Sequence, residues 1–262
     1  MPRYFIEVTY KGTNYSGFQI QQNANSIQAE VENALQIFFK KDFELTGSSR
    51  TDAGVHALQN FFHFDFLNNT QSDLSEDTQA ASGRNVETAR YNLNSILPPD
   101  IVIRKIFRVK DNAHCRFDAI SREYKYFIHQ QKDPFLQDTA FYYPYKLDLN
   151  KLNEAARQIM KYEDFTSFSK RNTQVKTFHC KIEKSEWNVE ANRMVYEVIA
   201  NRFLRGMVKG LVGTMLRVGT GKISINEFVK IIESKDCTKV DFSPPSKGLF
   251  LISVNYNLDL PV

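Results

Sequence analysis

The stretch Gly47-Ser48-Ser49-Arg50-Thr51-Asp52-Ala53-Gly54-Val55-His56-Ala57 crowds polar side chains and two glycines between Leu45 and an apolar run. An ionised carboxylate at Asp52 can act as a nucleophile, attacking an electrophilic sugar or base carbon and later departing. In an extended segment residues two apart face the same side, so Arg50 would hold that carboxylate ionised and oriented. The plain alternative is a solvated turn, for which Ser, Asp and Gly are ordinary residues, with an ion pair of little consequence. A glycosidase would want a second carboxylate as general acid. The nearest, Asp65, lies on a presumed strand that carries it away, so the single-carboxylate reading is the better one.

Two further groups could take part in chemistry. In Arg122-Glu123-Tyr124-Lys125-Tyr126, the residues Arg122, Tyr124 and Tyr126 share one face of a presumed strand. A phenol there can stack on a base or move a proton, or simply pack as a cross-strand aromatic. Arg202, Arg205 and Lys209 are spaced i, i+3, i+7 on a presumed apolar helix. Such cations either snorkel to solvent or reach toward phosphates or a carboxylate.

His56, His63, His114, His129 and His179 show no metal-ligand spacing and read as structural; no metal is expected. Cys115, Cys180 and Cys237 are odd in number and lack a C-x-x-C pair, which argues against a disulfide framework or a zinc site. No phosphate-cradling glycine loop is present, so neither ATP nor a nicotinamide cofactor is indicated.

The chain that must position these groups has 262 residues, enough for one large domain or two intimately joined ones. Its net charge of +4, from 34 basic and 30 acidic residues, permits polyanion binding without requiring it. The 21 Phe and 12 Tyr supply rings that stack on bases where exposed and fill the core where not. MPRYFIEVTY enters strand-type residues without the sectors of a signal peptide, and no apolar run approaches membrane-spanning length. A cytoplasmic, soluble protein with no membrane partner is the expectation.

Residues 4–10 read as a strand, and a helix capped near Asn25 or Ser26 follows, with Ile27, Val31, Ala34, Leu35 and Phe38 on its buried face. Phe62, Phe64 and Phe66 alternate with Phe61, His63 and Asp65, the period of a strand apolar on one face and mixed on the other. Residues 68–90 are polar and read as an exposed insertion. Pro98-Pro99 stops a helix before a strand at 101–109, and REYKYFIH gives another strand. LDLNKLNEAARQIM is a helix, and CKIEKSEWNVE with MVYEVIANRF makes an antiparallel pair. A long helix is expected over 203–216, with Gly206, Gly210 and Gly213 along one side, then a capping box from Ser224 and Glu227. Mixed antiparallel strands with helices on one face predict an α+β fold in two similar halves. The division is expected at residues 1–105, with the Asp52 loop and the insertion, and 106–262, with the tyrosine strand and the basic helix.

Five blocks in order resemble the tRNA pseudouridine synthase A family over nearly the whole chain. They are Tyr10-Lys11-Gly12 with Tyr15-Ser16-Gly17-Phe18-Gln19, RTDAGVHA at 50–57, CRFDA at 115–119 with REYKY, NRFLRGMVKGLVGTMLRVG at 201–219, and GLFLISVNY at 248–256. The resemblance implies two RNA-recognition-like α/β halves with mixed, mainly antiparallel sheets joined around a central RNA-binding cleft, helices on the outer face. It also implies a homodimer embracing one tRNA. The implied reaction needs no cofactor and isomerises uridine to pseudouridine at positions 38, 39 and 40 of the anticodon arm. Asp52 matches the family's catalytic aspartate, and Tyr124 would stack on the uracil and take a proton, with Tyr126 as the fallback.

Arg50, Arg122 and Arg202 would contact RNA. Many members carry Ala-Gly or Gly-Gly where Ser48 and Ser49 stand here, and Met-Val-Arg where this chain has Met207-Val208-Lys209. Either Lys209, as a point charge, or Arg205 would then pair with Asp52. The competing readings are a non-catalytic RNA-binding module and a carboxylate-based nucleoside hydrolase releasing uracil.

Overall fold

The computed structural model describes residues 1–66, 85–171 and 175–257. The described chain carries nine strands: β1 (Arg3–Tyr10), β2 (Thr46–Gly47), β3 (His56–Asp65), β4 (Ile101–Val109), β5 (Ala119–His129), β6 (Phe141–Tyr142), β7 (Ile182–Glu190), β8 (Arg193–Ala200) and β9 (Leu249–Tyr256). Its α-helices are α1 (Ile27–Phe39), α2 (Val86–Ile96), α3 (Leu149–Ile159), α4 (Met207–Gly219) and α5 (Ile225–Glu233). The fold is α+β, and among the described residues no helix is long and apolar enough to cross a membrane. It forms two compact units, Met1–Ile120 with the segment from Ser253 on, and Ser121–Ile252. The divisions fall at 120/121, within β5, and at 252/253, within β9, whereas the expected division at 105/106 lies within β4.

In the first unit β1 lies between β3 and β4, antiparallel to both, with β2 and the end of β9 also on β3. The alternation in β3 sorts its rings as expected. Phe62 and Phe64 are fully buried, Phe62 stacking on Phe18 at 4.4 Å, while Phe61 and His63 face Phe5. Asp65 is held by a two-pronged Arg3 guanidinium at 2.7 Å, which keeps its pKa low and commits it to structure. Ser26 caps α1 by accepting from Ala29 N.

The expected insertion needs correction at its end. Asn85 caps α2, and Val86 and Ala89 are buried, because this stretch carries an amphipathic first turn that the surrounding polarity hides. Residues 68–84 of that insertion lie outside the described residues.

In the second unit the strand order is β9-β5-β8-β7, antiparallel at β5–β8 and β8–β7, with β6 parallel to β5. Asn153 of α3 bonds both the N–H and the carbonyl of Trp187, tying that helix to β7. All of α4 but Lys209 and Arg217 is buried. The expected helix over 203–216 begins later, at Met207, because Gly206 adopts φ +74° and breaks the chain's path. Arg202 and Arg205 therefore precede the helix, and only Lys209 of the three cations lies on it.

Two outcomes test this packing. A Cβ on Gly213 would strike the Asp241 carbonyl oxygen and come within 2.9 Å of Pro244 Cδ. Helix propensity favours alanine by about 1 kcal/mol, while overpacking costs ~1–3 kcal/mol and wins here. Gly213→Ala is expected to lower the denaturant midpoint, and an unchanged or raised midpoint contradicts the close approach.

The second outcome concerns His63, whose pKa is lowered to about 4 by burial first, then by Arg3 and His114, against smaller opposing effects of Asp65 and Asp118. A depressed histidine leaves the unfolded chain binding the extra proton, so stability is complete above the usual pKa near 6.5 and falls as pH drops toward 4. Between pH 7.5 and 5 the loss from this group is about 2 kcal/mol. Urea unfolding of the parent and of His63→Gln at both pH values should show that much less pH dependence in the variant.

Candidate active site

The loop bearing Asp52 leaves the sheet at Ser48, whose N–H donates to Phe61 O at 2.8 Å. Phe18 N then donates to Thr51 O at 3.1 Å, Gly17 forms a bridge with Asp52, and Val55 N closes a turn on Asp52 O at 3.2 Å. The Tyr10-Lys11-Gly12 and Tyr15 to Gln19 blocks thus form the wall against which the motif is laid. Gly12 is there because a Cβ would collide with the Val55 carbonyl, and Gly17 because its φ is +127° beside Thr51 O. His56 is buried and its Nδ1 accepts from Gly12 N at 3.1 Å, a structural role.

Beneath the loop lies a buried polar cluster that spacing did not reveal. The Asn60 amide donates to Tyr10 Oη at 3.1 Å and to Ser49 O at 2.9 Å. Its Oδ1 accepts from Ser48 Oγ at 2.7 Å and from Phe61 N at 2.9 Å. Tyr10 Oη and Thr51 Oγ1 are 2.7 Å apart. Ser48 and Ser49 both take backbone conformations with negative φ, so neither needs the glycine that the family resemblance puts there. The one available signal for the cluster was a lone Asn in the aromatic run NFFHF.

Asp52 itself is exposed, and among the described residues no hydrogen bond or ion pair engages its carboxylate. The expected Arg50 to Asp52 pairing is therefore corrected. Arg50 Nη1 instead reaches Gln19 Oε1 at 3.3 Å, while Asp52, bridged to Gly17, leads into the turn at Ala53 and Gly54.

The remaining sequence candidates lie in the second unit. Tyr124, opposite Val198, is half-buried with its ring edge-on to Phe203 at 5.0 Å. Tyr126 is fully buried and donates to Pro245 O at 2.7 Å; burial raises its pKa well above that of a free phenol. That corrects the fallback stacking role, because the strand face they share is half-buried at Arg122 and Tyr124 and descends into the core at Tyr126. Arg122 Nη1 donates to Asn201 O at 2.9 Å. Arg205 is exposed while its carbonyl accepts from Lys170 N at 3.0 Å, and Arg202 is half-buried in the same loop. Lys209 Nζ lies 3.4 Å from Ser246 Oγ.

One donor set escaped the spacing argument. His63, His114 and Cys115 bring ligand atoms within 4.8 Å of one another, from β3 and from the turn before β5. Their lone pairs serve the polypeptide. His114 Nδ1 accepts from Arg116 N at 3.1 Å and Phe117 N at 3.4 Å, His63 Nδ1 accepts from Cys115 N at 3.3 Å, and Cys115 Sγ donates to Thr46 O. Burial first lowers the pKa of both histidines and the Arg3 guanidinium adds to it, while Asp118 opposes it.

A family model described as tRNA pseudouridine synthase matches residues 6–118 and 155–257. A tRNA pseudouridine synthase A of Porphyromonas gingivalis is 44% identical over 99% of this chain and 99% of its own. One of Bacteroides fragilis is 45% identical over 97% of this chain and 96% of its own, and one of Staphylococcus aureus 36% over 95% and 90%. With an exposed aspartate on a tightly bonded loop in one unit and a half-buried tyrosine and four cations in the other, this chain belongs to the tRNA pseudouridine synthase family.

Proposed function

We propose that the chain isomerises uridine to pseudouridine at positions 38, 39 and/or 40 of the tRNA anticodon arm, with Asp52 as the reacting carboxylate. The observation that supports this most is the exposed Asp52 side chain on a backbone fixed by Gly17, Phe18 and Thr51, in a chain of this family. In the isomerisation the N1 to C1′ bond breaks, the base turns, and C5 bonds to C1′ while a proton leaves C5 and N1 gains one. Atoms and electrons balance within the nucleotide, so the step calls for no cofactor. The base must first leave its stack at a cost of a few kcal/mol, and an aromatic ring with nearby cations offsets part of it. Tyr124 takes the stacking role, while Arg50, Arg122, Arg202, Arg205 and Lys209 meet phosphates or the carboxylate. The working form is a cytoplasmic homodimer.

Incubation of unmodified tRNA with the parent and with Asp52→Ala, followed by carbodiimide-dependent reverse-transcription stops, tests this. Stops at 38–40 are expected with the parent alone, and equal stops in both samples, or none in either, overturn the proposal. Arg202→Ala and Arg205→Ala should each weaken tRNA binding and reduce the slope of log affinity against log salt by about one. A light-scattering mass of one chain would remove the dimer.

A further inference from the structure

Asn60 has two amide protons and one carbonyl oxygen, and all of its hydrogen-bonding directions are used by protein groups. Its orientation is fixed without ambiguity, because Phe61 N can only donate to it and Ser49 O can only accept from it. Tyr10 Oη accepts from Asn60 and shares a second hydrogen bond with Thr51 Oγ1, in which either hydroxyl can donate. The carbonyl of the same Thr51 is gripped by Phe18 N. Thr51 is thus held by side chain and backbone at once and is 7% exposed, while its neighbour Asp52 projects into solvent. A chain of hydrogen bonds runs from β3 through two buried side chains to the residue preceding the carboxylate. Ser48 secures its far end by donating to Asn60 Oδ1.

We propose that Tyr10, Asn60 and Thr51 are positioning residues for Asp52, fixing where its carboxylate stands without touching the substrate. The proposal rests on the assignment of Asp52 as the reacting group. Its physical basis is that a reacting atom displaced by about 1 Å loses up to ~100-fold in rate, so a short side chain needs an immobile backbone. Loss of the clamp therefore slows the reacting step and leaves tRNA affinity alone. A merely structural role would lower melting temperature and leave the rate per folded molecule unchanged.

The test compares the parent with Tyr10→Phe, Thr51→Val, the double variant and Thr51→Ser, all well below their melting temperatures. Single-turnover pseudouridine formation under saturating enzyme and tRNA affinity by gel shift are the readouts. Tyr10→Phe and Thr51→Val are each expected to slow the single turnover by about tenfold, with affinity changed less than about twofold. The double variant should be no slower than the worse single, since both singles lose the Tyr10 to Thr51 bond and Tyr10→Phe already loses the Asn60 bond as well, and Thr51→Ser should restore most of the rate. Full rate in folded Tyr10→Phe, effects that multiply in the double variant, or a loss confined to affinity would each overturn the proposal.

Amide hydrogen exchange at Gly54 and Val55, whose N–H groups bond Tyr15 O and Asp52 O, gives a readout independent of the reaction. Faster exchange in Tyr10→Phe is expected, and unchanged exchange also overturns the clamp. If instead Asp52→Asn retains full activity while exchange still rises in Tyr10→Phe, the catalytic assignment fails and the clamp on the loop stands.

Discussion

The buried Asn60 amide is the contact on which the loop bearing Asp52 depends. A polar group removed from water costs about 1–3 kcal/mol when left without partners, so an amide at 0% exposure is tolerable only with its directions satisfied. The groups that satisfy it are Ser48, Ser49, Phe61 and Tyr10, from both sides of the loop's departure from the sheet. The same requirement that makes Asn60 acceptable in an aromatic core therefore dictates where residue 52 begins. Fold and site are coupled here by hydrogen-bond accounting, with apolar packing of Phe18 on Phe62 closing the space around it.

In the second unit the corresponding constraint is the left-handed turn at Gly206. The apolar period continues backward through Leu204 and Phe203, so local propensity alone would extend the helix to them. Gly206 ends it, Lys170 N takes the Arg205 carbonyl, and Asn201 bonds Lys181 through both backbone and side chain. The outcome is a short loop presenting Arg202 and Arg205 ahead of a buried helix, where a continuous helix would have fixed them on its turns. Gly210 and Gly213 let that helix lie against Val240 to Pro244, so its burial comes from close approach as much as from large side chains.

What the sequence made legible follows from the range of the interactions involved. Caps at Ser26 and Ser224, the alternation of β3 and the antiparallel β7–β8 pair are set by residues a few positions apart, and pattern reading finds them. The Asp52 motif, whose Ser, Asp and Gly are ordinary in a turn, was legible as a candidate through the company of four further blocks that resemble one family. Hidden were features joining distant segments: Asn60 to Tyr10, Arg50 to Gln19, and His63 to Cys115. Spacing rules assume that neighbours in chain are neighbours in space, whereas Arg50 finds its partner in Gln19, 31 positions away. Tyr126 failed as a stacking ring for a related reason. Period two assigns it to Tyr124's face, yet that face descends into the core along the strand.

Under the proposed roles, the contrast between a clamped carboxylate and loop-borne cations follows from the distance dependence of what each would do. Bond formation by a carboxylate oxygen requires approach to within about 3–3.5 Å in a narrow range of angles, so small displacements are costly. Attraction between a guanidinium and a phosphate falls off gently and persists over roughly 8–10 Å at physiological salt, so a mobile cation loses little. Arg50 illustrates the division within one tripeptide. Its exposed side chain rests on another exposed side chain, Gln19, and can exchange that partner for an RNA phosphate at small cost. Thr51, next to it, is bonded at both ends and holds the backbone from which the Asp52 side chain projects.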